Sequence, residues 1–338
     1  MRDGEQQFQS GRGAGIREVA RRAGVSPATA SRSLRGNPSV SAATRDRVLA
    51  AARELAYSLP RTPDHIPLIG VLARFPSQWY FAEAISAIEQ TLAPADHRMV
   101  LHNIGGAENR RRFFERVLPL GQLDGIVVVS SSFDPVERAA LDRTGLPITV
   151  VGGYVPGRPG VGIDEEAAAR VATQHLIGLG HRDIGLISFD PNETVGLATT
   201  RARRHGFDAA LADAGLRERP EWIVIADGSR MAGGVTVAEQ LLTQPRLPTA
   251  LFAMSDELAI GALQALRRAG LSVPGHVSVV GFDDHEMAAY MDLTTIAQPV
   301  REQAREATRL LLDGATGDDR QRSLPVRLVV RGTTGPAA

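Results

Sequence analysis

The chain has 338 residues, a formal net charge of zero and no cysteine. This length predicts two or three domains, and the missing cysteine excludes disulfides and thiolate metal sites, in agreement with a reducing compartment. The charge is unevenly distributed, because residues 1–61 hold eleven arginines and five acidic residues, whereas the rest holds 27 arginines and 33 acidic residues. A basic N-terminal segment favours a polyanionic partner, with a solvated surface as the alternative.

The N-terminal end shows no long apolar run of the kind found in signal peptides and membrane spans, so we expect a cytoplasmic protein without a membrane partner. Residues 1–14 are polar and glycine-rich, which predicts a disordered lead.

Three short helices are predicted between residues 15 and 60. Ile16, Val19, Ala20 and Ala23 share one face of the first helix, which ends at Gly24. The second helix runs from about Pro27 to Leu34, with Ser26 as its N-cap and proline at its first position. Its inward residues are Ala30 and Leu34, and Ser41 caps a third helix with an apolar stripe at Val48, Ala52 and Leu55.

Two short helices joined by a glycine-containing turn predict a helix-turn-helix, in which the second helix lies in the DNA major groove. Its outward residues are small or polar, so the backbone can approach DNA closely. Threonine and serine hydroxyls can contact phosphates, and Arg32 can read guanine through two hydrogen bonds. The alternative is a three-helix packing element without a DNA role.

The run "VA..AGVS..T.SR.L", followed by "VS..TR..V..A...L.Y", resembles the DNA-binding module of the LacI/GalR transcriptional regulators. The resemblance implies that Pro27, Ala28 and Arg32 are at base-reading positions, and that phosphates lie near Ser26, Thr29, Ser31 and Thr44. Arg35 replaces a frequent asparagine and adds a further candidate phosphate contact.

The linker, residues 61–67, is short and contains Pro63 and Pro67, which favours an extended segment. The resembled family has a longer linker with a hinge helix, from which a leucine wedges into the minor groove. We therefore expect this wedge to be absent or altered.

From residue 68 onward, apolar runs alternate with amphipathic stretches, which predicts an α/β body with doubly wound parallel sheets behind the small all-α domain. The runs that predict buried parallel strands are "IPLIGVLA", "DGIVVVS", "LPITVVG", "RDIGLIS", "EWIVIA", "TALFAM" and "HVSVVGF". The expected helices cover 78–92, 164–179, 199–214, 230–243 and 255–269. The resemblance extends through the body to about residue 335 and implies the two-lobed fold of type I periplasmic binding proteins. We expect lobe 1 at 68–160 and 293–320, and lobe 2 at 161–292 and 321–335.

Ligands bind beyond the carboxyl ends of strands in such sheets, so polar residues at those ends are the candidate contacts. Matching family positions imply that the effector-binding residues are Phe75, Arg203, Ser255, Asp283 and Gln298. By position after a strand, Asp256 is a further candidate, and Trp79 and Tyr80 could form an aromatic wall with Phe75. The plainer alternatives are a helix N-cap for Asp283 or Asp256, a surface position for Arg203, and lobe packing for Trp79 and Tyr80. Gly152 stands where sugar-responsive relatives often carry aspartate.

The spacing of His175, His181 and His205 fits no compact metal site, and no catalytic constellation, P-loop or dinucleotide pattern is visible, so we expect no metal, no cofactor and no enzyme. The sequence predicts a DNA-binding regulator that represses transcription from double-stranded operator DNA. It would act as a homodimer or tetramer, and its effector would be a sugar or related metabolite. The alternatives are a transport solute-binding protein, and a regulator that uses a co-repressor instead of an inducer.

Overall fold

The computed structural model describes residues 15–34, 37, 39–55, 57, 65–189, 197–227, 230–317 and 320–337. The predictions for the lead at 1–14, for Arg35 and for linker residues 61–64 lie outside the described residues.

The N-terminal module consists of three helices: α1 (Ile16–Ala23), α2 (Pro27–Leu34) and α3 (Ala42–Glu54). Gly24 ends α1 in the left-handed conformation at φ 66°, which glycine adopts without steric cost and which turns the chain toward α2. The predicted inward residues of all three helices form one core, with Val19, Ala30 and Val48 fully buried. The three-helix prediction is therefore confirmed.

The body alternates strands and helices in chain order. Its first half contains β1 (Leu68–Ala73), α4 (Trp79–Leu92), β2 (Arg98–Asn103), α5 (Ala107–Arg112), β3 (Gly125–Val129), α6 (Pro135–Asp142), β4 (Ile148–Val151) and β5 (Gly160–Gly162). Its second half contains α7 (Glu165–Gly178), β6 (Ile184–Phe189), α8 (Leu197–Asp213), β7 (Ile223–Ala226), α9 (Met231–Leu242), β8 (Ala250–Ala253), α10 (Asp256–Arg268), β9 (Ser278–Asp283), α11 (Glu286–Tyr290), β10 (Thr294–Ala297), α12 (Val300–Leu312), β11 (Gln321–Ser323) and β12 (Arg327–Val329).

The strands form two six-stranded sheets. Sheet 1 has the order β11-β5-β4-β3-β1-β2, and sheet 2 has the order β12-β10-β9-β8-β6-β7. Neighbouring strands pair in parallel except for β10 and β12, which are antiparallel. Central strands such as β3 and β4 are buried along their whole length, which explains why they read as unbroken apolar runs.

Helices cover the two sheets on both faces. In lobe 1, the lobe built on sheet 1, α4 and α12 share one apolar cluster with β1 and β3. In lobe 2, built on sheet 2, α7 and α8 pack on one side, and α9 and α10 pack on the other. The predicted doubly wound α/β body is thus the observed one. None of the described helices is long and apolar enough to cross a membrane.

The chain crosses between the lobes three times, a few residues later than predicted each time. Strand β5 pairs with β4 and belongs to sheet 1, so the first crossing follows Gly162 and not residue 160. Strand β10 belongs to sheet 2 and β11 to sheet 1, which places the other crossings after Ala297 and after Ser323. The predicted bounds at 292 and 320 are therefore wrong, because short strands beside a crossing do not reveal from sequence which sheet they join.

The helical module contacts lobe 1 directly. Leu120, in the turn before β3, packs against the apolar cluster of the three helices. Close by, His65 Nε2 lies 2.7 Å from Asp124 Oδ2, which also accepts a hydrogen bond from the backbone N–H of Leu68. These contacts fix the end of the linker against the same lobe.

Candidate nucleic-acid interface and effector cleft

The second helix of the module presents small side chains to solvent. Pro27 and Ala28 are exposed at its first turn, and Arg32 is exposed one turn later. Thr29 and Ser31 are half-buried at the edges of this face, whereas Ala30 and Leu34 point into the core. A thin helix face of this kind can approach the floor of a DNA groove without large side chains in the way.

Two hydroxyl caps hold the helix starts. Ser26 Oγ accepts a hydrogen bond from the backbone N–H of Thr29 at 3.1 Å, which confirms the predicted cap of α2. Ser41 Oγ accepts in the same way from Thr44 at the start of α3. The hydroxyls of Ser26 and Thr29 also lie 2.8 Å apart, so both are positioned at the N-terminus of α2, where backbone N–H groups favour anions.

Arg32 keeps its side chain along its own helix. Its Nε donates to the carbonyl oxygen of Ala28 at 3.3 Å, and the residue is exposed. The bond is local and solvent-accessible, so the guanidinium can leave it for a stronger acceptor pair such as a guanine edge.

The cleft of the body lies where the carboxyl ends of the two sheets meet. In sheet 1, β1 lies between β2 and β3, so the strand order reverses direction at β1. In sheet 2, β6 lies between β7 and β8 in the same way. These reversals of strand order are the positions at which open α/β sheets bind ligands. Phe75 follows β1, Gly152 follows β4, Ser255 follows β8, and Asp283 ends β9.

Arg203 on α8 is the centre of a buried polar cluster. Its Nε donates to Glu165 Oε2 at 2.7 Å, its Nη1 donates to the carbonyl oxygen of Met254, and its guanidinium carbon lies 3.6 Å from the centroid of the Phe282 ring. A third group, Asp283 Oδ1, lies 4.0 Å from Nη2. Arg203 is only 5% exposed, so the interpretation as a surface arginine is wrong.

Asp283 forms a hydrogen bond with Gln298, which lies at the second crossing between the lobes. Its Oδ1 accepts a hydrogen bond of 2.6 Å from Gln298 Nε2. Asp283 and the following Asp284 both have positive φ, at 121° and 57°, a conformation that costs free energy for residues other than glycine. The N-cap of α11 is His285, so the interpretation of Asp283 as a helix cap is also wrong. Strained backbone of this kind is frequent at ligand clamps.

Burial shapes the ionisation of this cluster. It raises the pKa of Asp283 well above its usual value, an effect that Arg203 and Gln298 oppose and that the Asp256 carboxylate reinforces. Burial alone would lower the pKa of Arg203, but the carboxylates of Glu165 and Asp283 outweigh it and raise that pKa. The guanidinium is therefore permanently charged and already faces two carboxyl groups.

Tyr80 of lobe 1 belongs to the same electrostatic cluster. Burial raises the pKa of its phenol, and the charges of Glu165 and Asp283 raise it further, so the hydroxyl stays protonated. The hydroxyl oxygen lies against Gly152, at a point 1.7 Å from where a Cβ of that residue would be. Tyr80 thus occupies the space that a side chain at position 152 would need.

The remaining predicted contacts have additional structural roles. Ser255 is buried and its Oγ accepts from the backbone N–H of Leu258, so it caps α10. Phe75 packs edge-on against Phe81, with ring centroids 5.9 Å apart, in the lobe 1 core. The structure therefore brings Arg203, Asp283 and Gln298 into one cluster, places Ser255 next to it through Met254, and shows Phe75 in a separate aromatic contact.

The lobes touch across the cleft. The rings of Trp79 in lobe 1 and His285 in lobe 2 are 5.1 Å apart, and Arg230 Nη2 donates to Ser77 Oγ at 3.3 Å. A pocket of about 500 Å³, within the usual range for small-molecule sites, borders the cluster and is lined in part by Trp79, Asp283 and Gln298.

Two residues of the cluster, Glu165 and Gln303, were not predicted as effector contacts, whereas Tyr80 was considered as part of an aromatic wall or as lobe packing. Glu165 opens α7 directly after the first crossing, and its pairing with Arg203 is a long-range contact. Gln303 gives a local signal, since it is a polar residue within the apolar stripe of α12. Such an interruption is unusual enough to mark a polar partner in the fold.

The histidines have structural partners. His181 is buried and lies 3.0 Å from Thr249 Oγ1 and 3.0 Å from the carbonyl oxygen of Gly335, so its ring joins the C-terminal segment to sheet 2. His175 contacts Thr334. Within the described ranges, no three His, Asp or Glu side chains form a group that could hold a metal ion.

A substitution at Gly152 tests how closely the Tyr80 hydroxyl packs against this residue. We expect Gly152→Ala to lower the free energy of unfolding by about 2–4 kcal/mol, from overpacking against Tyr80 and from its positive φ of 59°. Gly145→Ala is the matched control, because φ is 65° there and no atom lies within 4 Å of the added carbon. Urea unfolding of both variants measures the difference. Equal losses would show that Tyr80 does not fill the space at Gly152.

Asp256 makes the stability depend on pH. Burial raises its pKa to about 7 and the charge of Asp284 adds to the shift, although hydrogen bonds from Thr295 and the backbone of His285 oppose it. Because the folded protein holds this proton more tightly than the unfolded chain, the contribution is greatest below about pH 4 and is lost as the pH rises through 7. We expect Asp256→Asn to remove up to about 4 kcal/mol of pH-dependent unfolding free energy between pH 4 and 8. Urea unfolding of the wild type and of Asp256→Asn measures this difference. Parallel pH profiles of the unfolding free energy for the two proteins would contradict the prediction.

Comparison with known proteins agrees with both halves of the chain. Residues 15–59 match the bacterial regulatory proteins of the lacI family, and residues 173–334 match a periplasmic binding protein-like domain. The chain is 34% identical over 332 residues to the HTH-type transcriptional repressor CytR of Escherichia coli strain K12, covering 94% of this chain and 96% of that one.

Solved structures of regulators have the same architecture. A complex of the transcriptional regulator CelR with cellobiose superposes with a TM-score of 0.69 at 29% identity, covering 95% of this chain and 99% of that one. The Lac repressor dimer bound to operator and the anti-inducer ONPF gives a TM-score of 0.70 at 26% identity, covering 96% and 100%.

A capped helix pair in front of a two-lobed body with a buried polar cleft defines a DNA-binding transcriptional regulator with an effector domain. More narrowly, the chain belongs to the lacI family of bacterial regulatory proteins. The members of this family are regulators and not enzymes, and the helix-turn-helix separates the chain from solute-binding proteins of the same body fold.

Proposed function

We propose that this regulator is a repressor that binds operator DNA as a homodimer and that its cleft binds a neutral, donor-rich metabolite. The observation that carries the proposal is the combination, in one chain, of an exposed α2 face and a buried cluster around Arg203 between two lobes. A dimer presents two recognition helices at the spacing of a pseudo-palindromic site.

On this proposal, α2 carries the DNA contacts. Pro27, Ala28 and Arg32 face base edges, because they are exposed on the helix face that enters the groove. The phosphate contacts are assigned to the hydroxyls near the starts of α2 and α3 and at the edge of the α2 face, those of Ser26, Thr29, Ser31 and Thr44, together with Arg35.

The effector contacts are assigned to Phe75, Arg203, Ser255, Asp283 and Gln298. Because Arg203 already pairs with Glu165 and lies near Asp283, the cluster has no excess of positive charge to attract a phosphorylated or carboxylated effector. Carboxylate and amide oxygens instead suit hydroxyl and amino groups, which favours sugars or nucleosides. The cellobiose complex of the related regulator CelR supports the first of these classes.

The binding of the effector is coupled to the binding of DNA through closure of the two lobes. The effector can change DNA affinity only by binding one arrangement of the lobes more tightly than the other, and a full switch from 1:99 to 99:1 requires about 5.5 kcal/mol of differential binding. The contact of Trp79 with His285 and the bond from Arg230 to Ser77 join the two lobes, so a change in lobe arrangement would alter them.

A mobility-shift assay on genomic fragments, run across a salt series with the full chain, tests the proposal. We expect sequence-selective binding that weakens with salt as phosphate contacts are screened. A thermal-shift screen with sugars, sugar acids, nucleosides and phosphorylated metabolites identifies the effector class. Sedimentation equilibrium reports the dimer. Binding without sequence selectivity, with or without these metabolites, would refute the proposed function.

A further inference from the structure

Gln303 is a fully buried amide on a mainly apolar helix face. Helix α12 packs on sheet 1 through Val300, Ala304, Ala307 and Leu311, and Gln303 lies in the same stripe with 0% of its surface exposed. A buried amide is costly unless its donor and acceptor are both bonded. The partners of Gln303 therefore decide what the residue contributes.

The amide of Gln303 begins a chain of hydrogen bonds into the cleft. Its Nε2 donates to Gln298 Oε1 at 3.1 Å, and Gln298 Nε2 donates to Asp283 Oδ1 at 2.6 Å. The chain starts in lobe 1, passes through the second crossing and ends in lobe 2. Because Asp283 Oδ1 accepts from Gln298 Nε2, the Oε1 of Gln298 is turned toward Gln303 and accepts from its Nε2, so both amides have a fixed direction.

The far end of this chain faces the cleft wall. Among the described residues, no group donates to Gln303 Oε1, which lies 3.6 Å from the position of an added Cβ at Gly152. Tyr80 Oη lies 1.7 Å from the same point. This unbonded acceptor lies beside Gly152 and Tyr80, at the carboxyl end of β4, which is the edge of sheet 1 that borders the cleft.

Gln303 also controls which oxygen of Asp283 can meet an effector. With Gln298 held by Gln303, its Nε2 is turned toward Asp283 and occupies Oδ1. Within the described part of the chain, no residue donates a hydrogen bond to Oδ2. That oxygen then accepts from a hydroxyl or amino group of the bound molecule.

We infer that Gln303 is a positioning residue of the effector site: it orients Gln298, so that Asp283 is presented as an acceptor to a neutral donor-bearing ligand. The inference rests on the proposed effector cleft and deepens it. It also joins the cleft to α12, and thereby to the lobe that contacts the DNA-binding module through Leu120. A ligand that bonds to Asp283 thus contacts a series of hydrogen bonds that extends into both lobes.

Reversing the donor-to-acceptor direction of the hydrogen bonds from Gln303 through Gln298 to Asp283 tests this role. Gln303→Glu keeps the shape but removes the donor, so Gln298 must turn its Nε2 toward residue 303 and its Oε1 toward Asp283, which sets two acceptors against each other. We expect a lower melting temperature at pH 8. Adding Asp283→Asn supplies a donor for Gln298 Oε1, restores a continuous chain of opposite direction and raises the melting temperature by about 3 °C or more.

Asp283→Ala in the same Gln303→Glu background is the matched control. It removes the same charge but cannot donate, so we expect it to restore less than Asp283→Asn does. Equal recovery with asparagine and alanine, or no recovery with either, overturns the inference, because a purely structural or electrostatic role would not distinguish the two.

Gln303→Met covers the case in which the glutamate variant does not fold. In protein labelled with ¹⁵N-glutamine, the side-chain amide signals of Gln298, assigned with Gln298→Glu, are expected to shift when Gln303 is replaced by methionine. An unchanged Gln298 signal overturns the inference. D-ribose, cellobiose and adenosine serve as probes in thermal shift: if none binds the wild type, the effector proposal fails for these classes, whereas the reversal experiment still decides the role of Gln303.

Discussion

Arg32→Ala is expected to reduce selective operator affinity by about 5-fold to 150-fold, equivalent to ~1–3 kcal/mol for one bidentate contact to guanine. Pro27 and Ala28 have no side-chain hydrogen-bond donors, so in the proposed assignment Arg32 is the residue on the exposed face of α2 that reads bases directly. The substitution leaves the core of the module intact, because Arg32 is exposed and its side chain, among the described residues, donates only to Ala28 of the same helix. Titration of an operator fragment and a scrambled fragment measures the ratio.

Arg32→Lys separates base reading from charge. Lysine keeps the positive charge but lacks the planar two-pronged donor, so non-selective affinity and its salt dependence should stay near wild type while selectivity falls. Probe binding to the body should be unaffected in both variants. If alanine and lysine reduce binding to both fragments equally, Arg32 contributes only a phosphate contact and the assignment of base readout is wrong.

The N-terminal module was predictable because its signals are local. Each helix has a sequence cue at its own boundary: Gly24 after α1, Ser26 and Pro27 at the start of α2, and Ser41 before α3. The apolar spacing then indicates which residues pack together. Caps and periodicity act over a few residues, so one sequence is sufficient to identify them.

The body was predictable to the level of its central strands. Buried parallel strands have unbroken apolar runs, and β1, β3, β4, β6, β7, β8 and β9 were all recognised by them. Strands β2, β5, β10, β11 and β12 were missed, since they are short, half-exposed or contain polar residues. The lobe bounds depended on those strands, which explains why they were wrong by a few residues.

Only part of the candidate site follows from sequence. Position at the carboxyl end of a strand identifies Asp283, and resemblance adds Arg203 and Gln298. The pairing of Arg203 with Glu165, 38 residues apart, joins α8 to α7 within lobe 2, and the placement of Tyr80 against Gly152 joins α4 to the end of β4 within lobe 1. Both depend on tertiary packing, which no local pattern records.

Arg203→Ala is expected to have the largest effect in the body. It leaves Glu165 and Asp283 buried without their cation, and removing one partner of a buried ion pair costs about 3–5 kcal/mol of unfolding free energy. Any probe that binds the wild type should lose more than about 100-fold in affinity, because the site loses both a donor and the group that orients the carboxylates. Chemical unfolding and calorimetric titration measure the two effects.

A double variant separates the loss of stability from the loss of binding. Arg203→Met with Glu165→Gln replaces the buried pair by neutral groups of similar size, so the free energy of unfolding should recover by about 2 kcal/mol or more relative to Arg203→Ala. Probe affinity should stay low, since methionine cannot donate to the carbonyl oxygen of Met254 or to a bound hydroxyl. Recovery of affinity together with stability would mean that Arg203 supports the fold and does not contact the effector, and Asp283 with Gln298 would then carry recognition.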